Sequence, residues 1–171
     1  MATIYLFGVK GGGWKMGKIT VFDVAKYFLT RVDQGAGSVM THLKLQKLCY
    51  YAQAWHLVFT GKPLFEEQFE AWTHGPVCPA LWHEYKGCGY QPIPKPDNFD
   101  PSTIFTKEQL EILDEVWNAY GQFDAKYLEE LTHQEEPWRK ARGSCLPGEA
   151  CNNIISLKLM KEYYSQLLED E

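Results

Sequence analysis

The sequence holds no run of about 18 apolar residues, so no helical segment is expected to span a membrane. It has no Cys-x-x-Cys pair, and its five cysteines (Cys49, Cys78, Cys88, Cys145 and Cys151) are an odd number. Their expected state is buried or free thiols in a reducing compartment. Basic charge is not in excess: 17 Lys and Arg against 22 Asp and Glu leave a net charge of −5. Such a balance exerts no overall pull on nucleic acid or anionic lipid, so neither a membrane nor direct nucleic-acid binding is expected. Internal repeats and low-complexity blocks are also missing. The N-terminal stretch lacks the charged start and longer apolar core of a signal peptide, which points to a cytoplasmic location.

What the chain does contain is apolar and aromatic. Its 171 residues are 45% hydrophobic and 15% aromatic, enough to bury a real core in one domain. Residues Ile4–Val9 read as a short strand followed by the glycine cluster Gly11, Gly12, Gly13 and Gly17. Thr20 and Asp23 form a capping-box pair ahead of an apolar face made by Val21, Val24, Ala25, Phe28, Leu29 and Val32. A second helix is expected from Thr41 to Gly61-Lys62-Pro63. It is apolar on two opposite faces, which marks it as the central helix, and Gln46 and Gln53 on one side of it are placed to satisfy backbone groups.

Phe69, Ala71 and Thr73 alternate with Glu70, Trp72 and His74, the period of a strand, which Gly75-Pro76 is expected to break. Pro79 suits the first turn of a short helix over Ala80–Lys86. Four prolines within Gln91–Pro101 make a stiff surface connection. Thr106 and Gln109 form a second capping box, Ala125–Thr132 reads as a short helix, and a last helix begins near Ser156. Pro137-Trp138 is expected to interrupt the chain before a basic turn, Arg139–Arg142. Together these features predict a mainly α (α+β) fold, a single compact domain of about six helices with a small antiparallel β element.

Four patterns carry possible chemistry. Gly12 to Lys18 fits the Gly-x4-Gly-Lys spacing of a phosphate loop, but the position that would hold magnesium is Ile19, and a glycine connector is the simpler reading. His74, Cys78, His83 and Cys88 are zinc-ligand types, yet no Cys-x2-Cys pair supports them and no metal is expected. His133, beside Glu135 and Glu136, resembles an acid–base pair without a nucleophile nearby in sequence; helix capping and surface ion pairing account for it. Cys145 and Cys151 are candidate reactive thiols in a Gly/Pro/Asn-rich loop, with nothing adjacent to lower a thiol pKa. No catalytic residue and no cofactor are therefore assigned.

Three segments in register resemble one family. Lys44–His56 resembles the long helix of the Panacea domain found in SocA-like antitoxins and phage-associated proteins; Glu70–Pro79 is similar to its Glu-Ala-Trp…Gly-Pro-Val-x-Pro segment, and Leu131–Arg142 to its Thr-His…Pro-Trp…Ala stretch. The match runs from Ile19 to Tyr164, leaving residues 1–18 as a glycine-rich leader and 19–171 as the Panacea-like domain. Cys78 stands where an aliphatic residue is common in the family.

The resemblance implies an antitoxin of a type II toxin–antitoxin system that neutralises a cognate protein toxin by direct contact. Occlusion of the toxin, or delivery of it to a cellular protease, would serve. An aromatic-rich chain without an assigned catalytic set suits an interaction module. Its expected contact residues are Tyr51, Trp72, His74, Trp138, Arg139 and Arg142. The alternatives are a prophage-associated nucleotide-binding enzyme or hydrolase, and a phage structural or assembly protein with symmetric self-association.

Overall fold

The computed structural model of the protein describes residues 17–170, and five of the seven α-helices among them begin on a capping side chain. Helix α1 (Val21–Thr30) starts on the reciprocal box: Thr20 N–H donates to Asp23 Oδ2 at 2.9 Å while Thr20 Oγ1 accepts from Asp23 N–H at 3.4 Å. Helix α2 (His42–Thr60) is capped by Thr41 and closed by Gly61, whose φ of 74° is a left-handed value that only glycine adopts without strain. Helices α3 (Pro79–Tyr85), α4 (Lys107–Tyr120), α5 (Ala125–Gln134), α6 (Glu136–Arg142) and α7 (Leu157–Glu169) follow. The Thr106–Gln109 box opens α4, and the side chains of Asp124 and Ser156 cap α5 and α7. The strand read at Ile4–Val9 and most of the glycine leader lie outside the described residues.

Helix α2 is the axis of a single compact, mainly helical domain. It packs against α1, α3, α4, α5 and α7 and against the β-hairpin, and 14 of its 19 residues are buried. Its two glutamines tie down irregular chain. Gln46 accepts from Cys78 N–H at 2.8 Å and donates to Cys78 O at 3.2 Å. Gln53 accepts from Leu64 N–H and donates to Phe65 O, both at 2.7 Å. The proline-rich connection is pinned through Ile93, whose N–H donates to Met40 O at 2.8 Å and whose side chain is buried.

Two local expectations are corrected. Gly75-Pro76 does not end the β element: strand β1 (Glu70–Trp72) turns at Thr73-His74 and pairs antiparallel with β2 (Gly75–Val77), with Ala71 opposite Pro76. Pro76 is tolerated because it lies on the edge of the hairpin. Ala71 turns its own N–H to Asn153 O at 2.8 Å, on the other side of β1, where Ile154 bridges Glu70. Pro137, likewise, does not interrupt the chain. It occupies the first turn of α6, where its missing N–H removes no helical bond, so the basic run Arg139–Arg142 is helical and α6 is a seventh helix.

Candidate functional site

The hairpin, the end of α5 and the start of α6 meet over the middle of α2. They bring together the three segments singled out in the sequence. Lys47 on α2 is wholly buried and its ammonium donates to Pro76 O at 3.2 Å. Burial pushes it down to about 7, opposed by the charge of Glu129. Trp138 Nε1–H on α6 donates to Trp72 O at 2.8 Å, and Arg142 donates to Ala71 O at 2.9 Å. The hairpin is thus held from below by a lysine and from the side by a tryptophan and an arginine.

A polar cluster surrounds its tip. Glu129 Oε1 faces His74 Nδ1 at 3.2 Å and Lys126 Nζ at 3.4 Å. Burial alone would raise the Glu129 carboxyl, but the hydrogen bond and charge of His74, with Lys126, hold it below the usual range. The His133 ring lies flat on Trp138, with centroids 3.9 Å apart. Its Nε2 is buried without a hydrogen-bond partner. Burial lowers His133, and nearby Lys47, Lys126 and His74 lower it further against the pull of Glu129. The Arg142 guanidinium also stands over the Trp138 ring, 5.2 Å from its centroid.

On the outside, Trp72 lies against Trp82 with ring centroids 5.8 Å apart, and Lys86 stands 5.2 Å over the Trp82 ring. Half-buried Trp82, Trp72 and Trp138 are thereby linked one to the next, and His74 at the hairpin turn is exposed. Around Glu70 a shallow cleft of ≈ 230 Å³ opens between Glu67, Pro79 and Ile154. The surface combines aromatic faces with both signs of charge, the composition from which protein interfaces draw their strongest contacts.

Three of the six expected contact residues, Trp72, His74 and Trp138, are brought onto this surface, while Arg139 is exposed on α6 and donates to Gln134 O at 3.2 Å. The other two turn inward. Tyr51 is 0% exposed; its hydroxyl donates to Glu135 at 2.6 Å and its ring stacks on Tyr120 at 4.0 Å. Arg142 is 5% exposed because its guanidinium bridges Ala71 O, Leu146 O and Glu149 O. Both side chains lie beneath the surface rather than on it.

Glu135 also departs from expectation. It is no surface ion-pairing residue: its carboxylate is buried against Tyr51 and Tyr164, whose hydroxyls donate at 2.6 and 3.0 Å. Burial pushes it up to about 7, although both hydroxyls favour the ionised form. Glu136, by contrast, pairs with Lys140 at 2.8 Å on the surface. The would-be zinc residues disperse: His74 goes to Glu129, Cys78 is sealed behind Gln46, and His83 lies edge-on to Trp82. Among the described residues, no group of three or more His, Cys, Asp and Glu is arranged to hold a metal ion. At the end of the glycine leader, Lys18 pairs with Glu66 at 2.5 Å and Ile19 is buried.

Sequence reasoning passed over Lys47 and Glu129, and the burial of Glu135. For Lys47 a signal existed: Leu43, Tyr50, Tyr51 and Ala54 stand one and two turns away on a helix with no free face. Glu129 and Glu135 offered none, since each sits among other carboxylates in a polar stretch.

Residues 45–139 match the family model described as Antitoxin SocA-like, Panacea domain, a span that contains most of α2, the hairpin and the start of α6. A 50-residue stretch is 42% identical to Antitoxin SocA of Caulobacter vibrioides (strain NA1000 / CB15N), covering 29% of this chain and 27% of that protein. No solved structure matches the chain. The family match spans more than half of the sequence, and the chain belongs to the SocA-like antitoxin family of Panacea-domain proteins.

Proposed function

We propose that this protein is the antitoxin of a toxin–antitoxin pair, and that it binds its cognate protein toxin directly through the surface formed by Trp72, His74, Trp138 and Arg139. Family membership supports the class of function. The observation that carries the site is the convergence of the three motif segments on one aromatic surface, with Trp138 bonded to the backbone of Trp72. The buried polar residues beneath it serve as its frame: Lys47, Arg142 and Glu135 hold backbone or hydroxyl groups. On this reading the chain acts by binding rather than by catalysis, inside the cell, through one domain beginning at Ile19.

The test is co-purification and co-expression with the product of the neighbouring gene. A stable complex and restored growth are expected. Toxin level then separates the two routes: occlusion leaves the toxin abundant and inactive, whereas delivery to a protease depletes it. The paired substitution Trp72→Ala and Arg139→Ala is expected to weaken binding by about tenfold or more, a loss of about 1.4 kcal/mol or greater. Undiminished affinity in that variant would place the interface elsewhere, and absence of any complex with growth still arrested would defeat the antitoxin reading.

A further inference from the structure

Cys145 and Cys151 flank a tight turn beside the Arg142 clamp. Glu149 N–H donates to Leu146 O at 3.0 Å, and Leu146 N–H donates to Glu149 Oε2 at 2.8 Å, which folds the chain back on itself. The Arg142 guanidinium holds Leu146 O and Glu149 O, each at 2.7 Å. Both sulfurs gather around the Arg142 carbonyl. Cys151 Sγ approaches it at 4.0 Å, and Asn153 Nδ2 spans from it, at 3.4 Å, to Cys145 Sγ at 3.7 Å. The Cys151 side chain, a near neighbour across the turn, also raises the Cys145 thiol pKa. Cys145 is half-buried at the surface and Cys151 is buried, while Cys49 and Cys78 are sealed in the core at 0% exposure.

We propose that Cys145 and Cys151 are a redox-modification site that closes to an intramolecular disulfide when the protein meets a small-molecule disulfide such as oxidised glutathione. The Cys145 thiolate attacks one sulfur of the glutathione disulfide, forming a mixed disulfide and expelling one glutathione thiolate. Cys151 then loses its proton and attacks Cys145 Sγ, expelling the second glutathione. Two protein thiols are oxidised, one glutathione disulfide is reduced to two glutathiones, and no other reactant is needed. Accessibility assigns the order, because the attacking sulfur must meet the reagent while the second needs to meet only its neighbour. With the Cys145 thiol raised by Cys151, the exchange accelerates as the medium becomes alkaline. The new bond staples the turn carried by Arg142.

The test is incubation of the full-length protein with oxidised glutathione at mildly alkaline pH, followed by acid quench, alkylation, tryptic digestion and mass spectrometry. Residues 143–158 form one tryptic peptide carrying both cysteines. It is expected to be recovered without alkyl groups and two hydrogens lighter than its reduced form, and dithiothreitol should reverse the change. Cys151→Ser is expected to retain a glutathione adduct on Cys145, and Cys145→Ser to show neither adduct nor disulfide. Recovery of the unmodified chain with both cysteines alkylated, or with glutathione persisting on Cys145, would overturn the proposal.

Discussion

Glu135 places a carboxylate where the fold prefers a neutral acid, and the consequence is a dependence of stability on pH. Its pKa rises from an ordinary 4.5 to about 7 on folding. Between those values the unfolded chain has released the proton and the folded one keeps it, so this residue's contribution to stability falls as pH rises, and levels off above about 7. The full difference is about 3 kcal/mol. His42 acts in the opposite sense, because burial and the charge of Lys47 lower it from 6.5 to about 4, so the effect is to be read as a difference between proteins. Glu135→Gln, which keeps the hydrogen-bonding shape, should gain about 2–3 kcal/mol relative to the parent on moving from pH 5 to pH 8 in urea unfolding. A constant difference across that range would show that Glu135 does not titrate there. Gly75 is the second sensitive residue. Its φ is +98°, and an added Cβ would stand 2.7 Å from Lys47 Cε and 2.8 Å from Thr132 Oγ1. Gly75→Ala is expected to cost about 2–4 kcal/mol, measured by the same unfolding experiment, because strain and overpacking act together.

Among the elements, the hairpin and α2 depend on each other more than their lengths suggest. Strands of three residues have little stability of their own, and β1 is held by Asn153, Arg142 and Trp138 rather than by its ladder alone. The chain entering the hairpin relies on Gln53, which is 0% exposed and satisfies both Leu64 N–H and Phe65 O. Gln53→Leu keeps the volume but orphans two buried backbone groups, and should destabilise the protein by about 2–5 kcal/mol in thermal or chemical unfolding. A loss below about 1 kcal/mol would mean that water or a backbone shift replaces the amide. The caps of α1, α2, α4 and α7 were legible because a capping side chain and its partner lie within one turn of sequence. Helix α6 was not, because Pro137 carries the same signal whether it stops one segment or starts the next. The second strand escaped for a related reason: a Gly-Pro pair reads as a break until the strand beside it is known.

Taken whole, the molecule is a set of shorter helices gathered around one long one, and the proposed partner surface lies where three segments distant in sequence meet. Its acidic net charge, −5, could steer a basic toxin toward it, since long-range attraction chiefly raises the association rate. If so, the association rate for such a toxin should fall with added salt while dissociation changes little, a result accessible by stopped-flow or surface-based kinetics. Periodicity, caps and composition were enough to establish the mainly helical class, the central position of α2 and the structural work of Gln46 and Gln53, because these follow from side chains a few residues apart. The motif segments were legible as well, and with them the family. Which members of each motif reach the surface was decided by packing. Tyr51 and Arg142 look in sequence like the aromatic and basic residues of an interface, yet one is enclosed between Tyr120 and Glu135 and the other is spent on three carbonyls. Burial is a property of what lies across from a residue, and for these two the opposing groups come from parts of the chain that no local pattern connects.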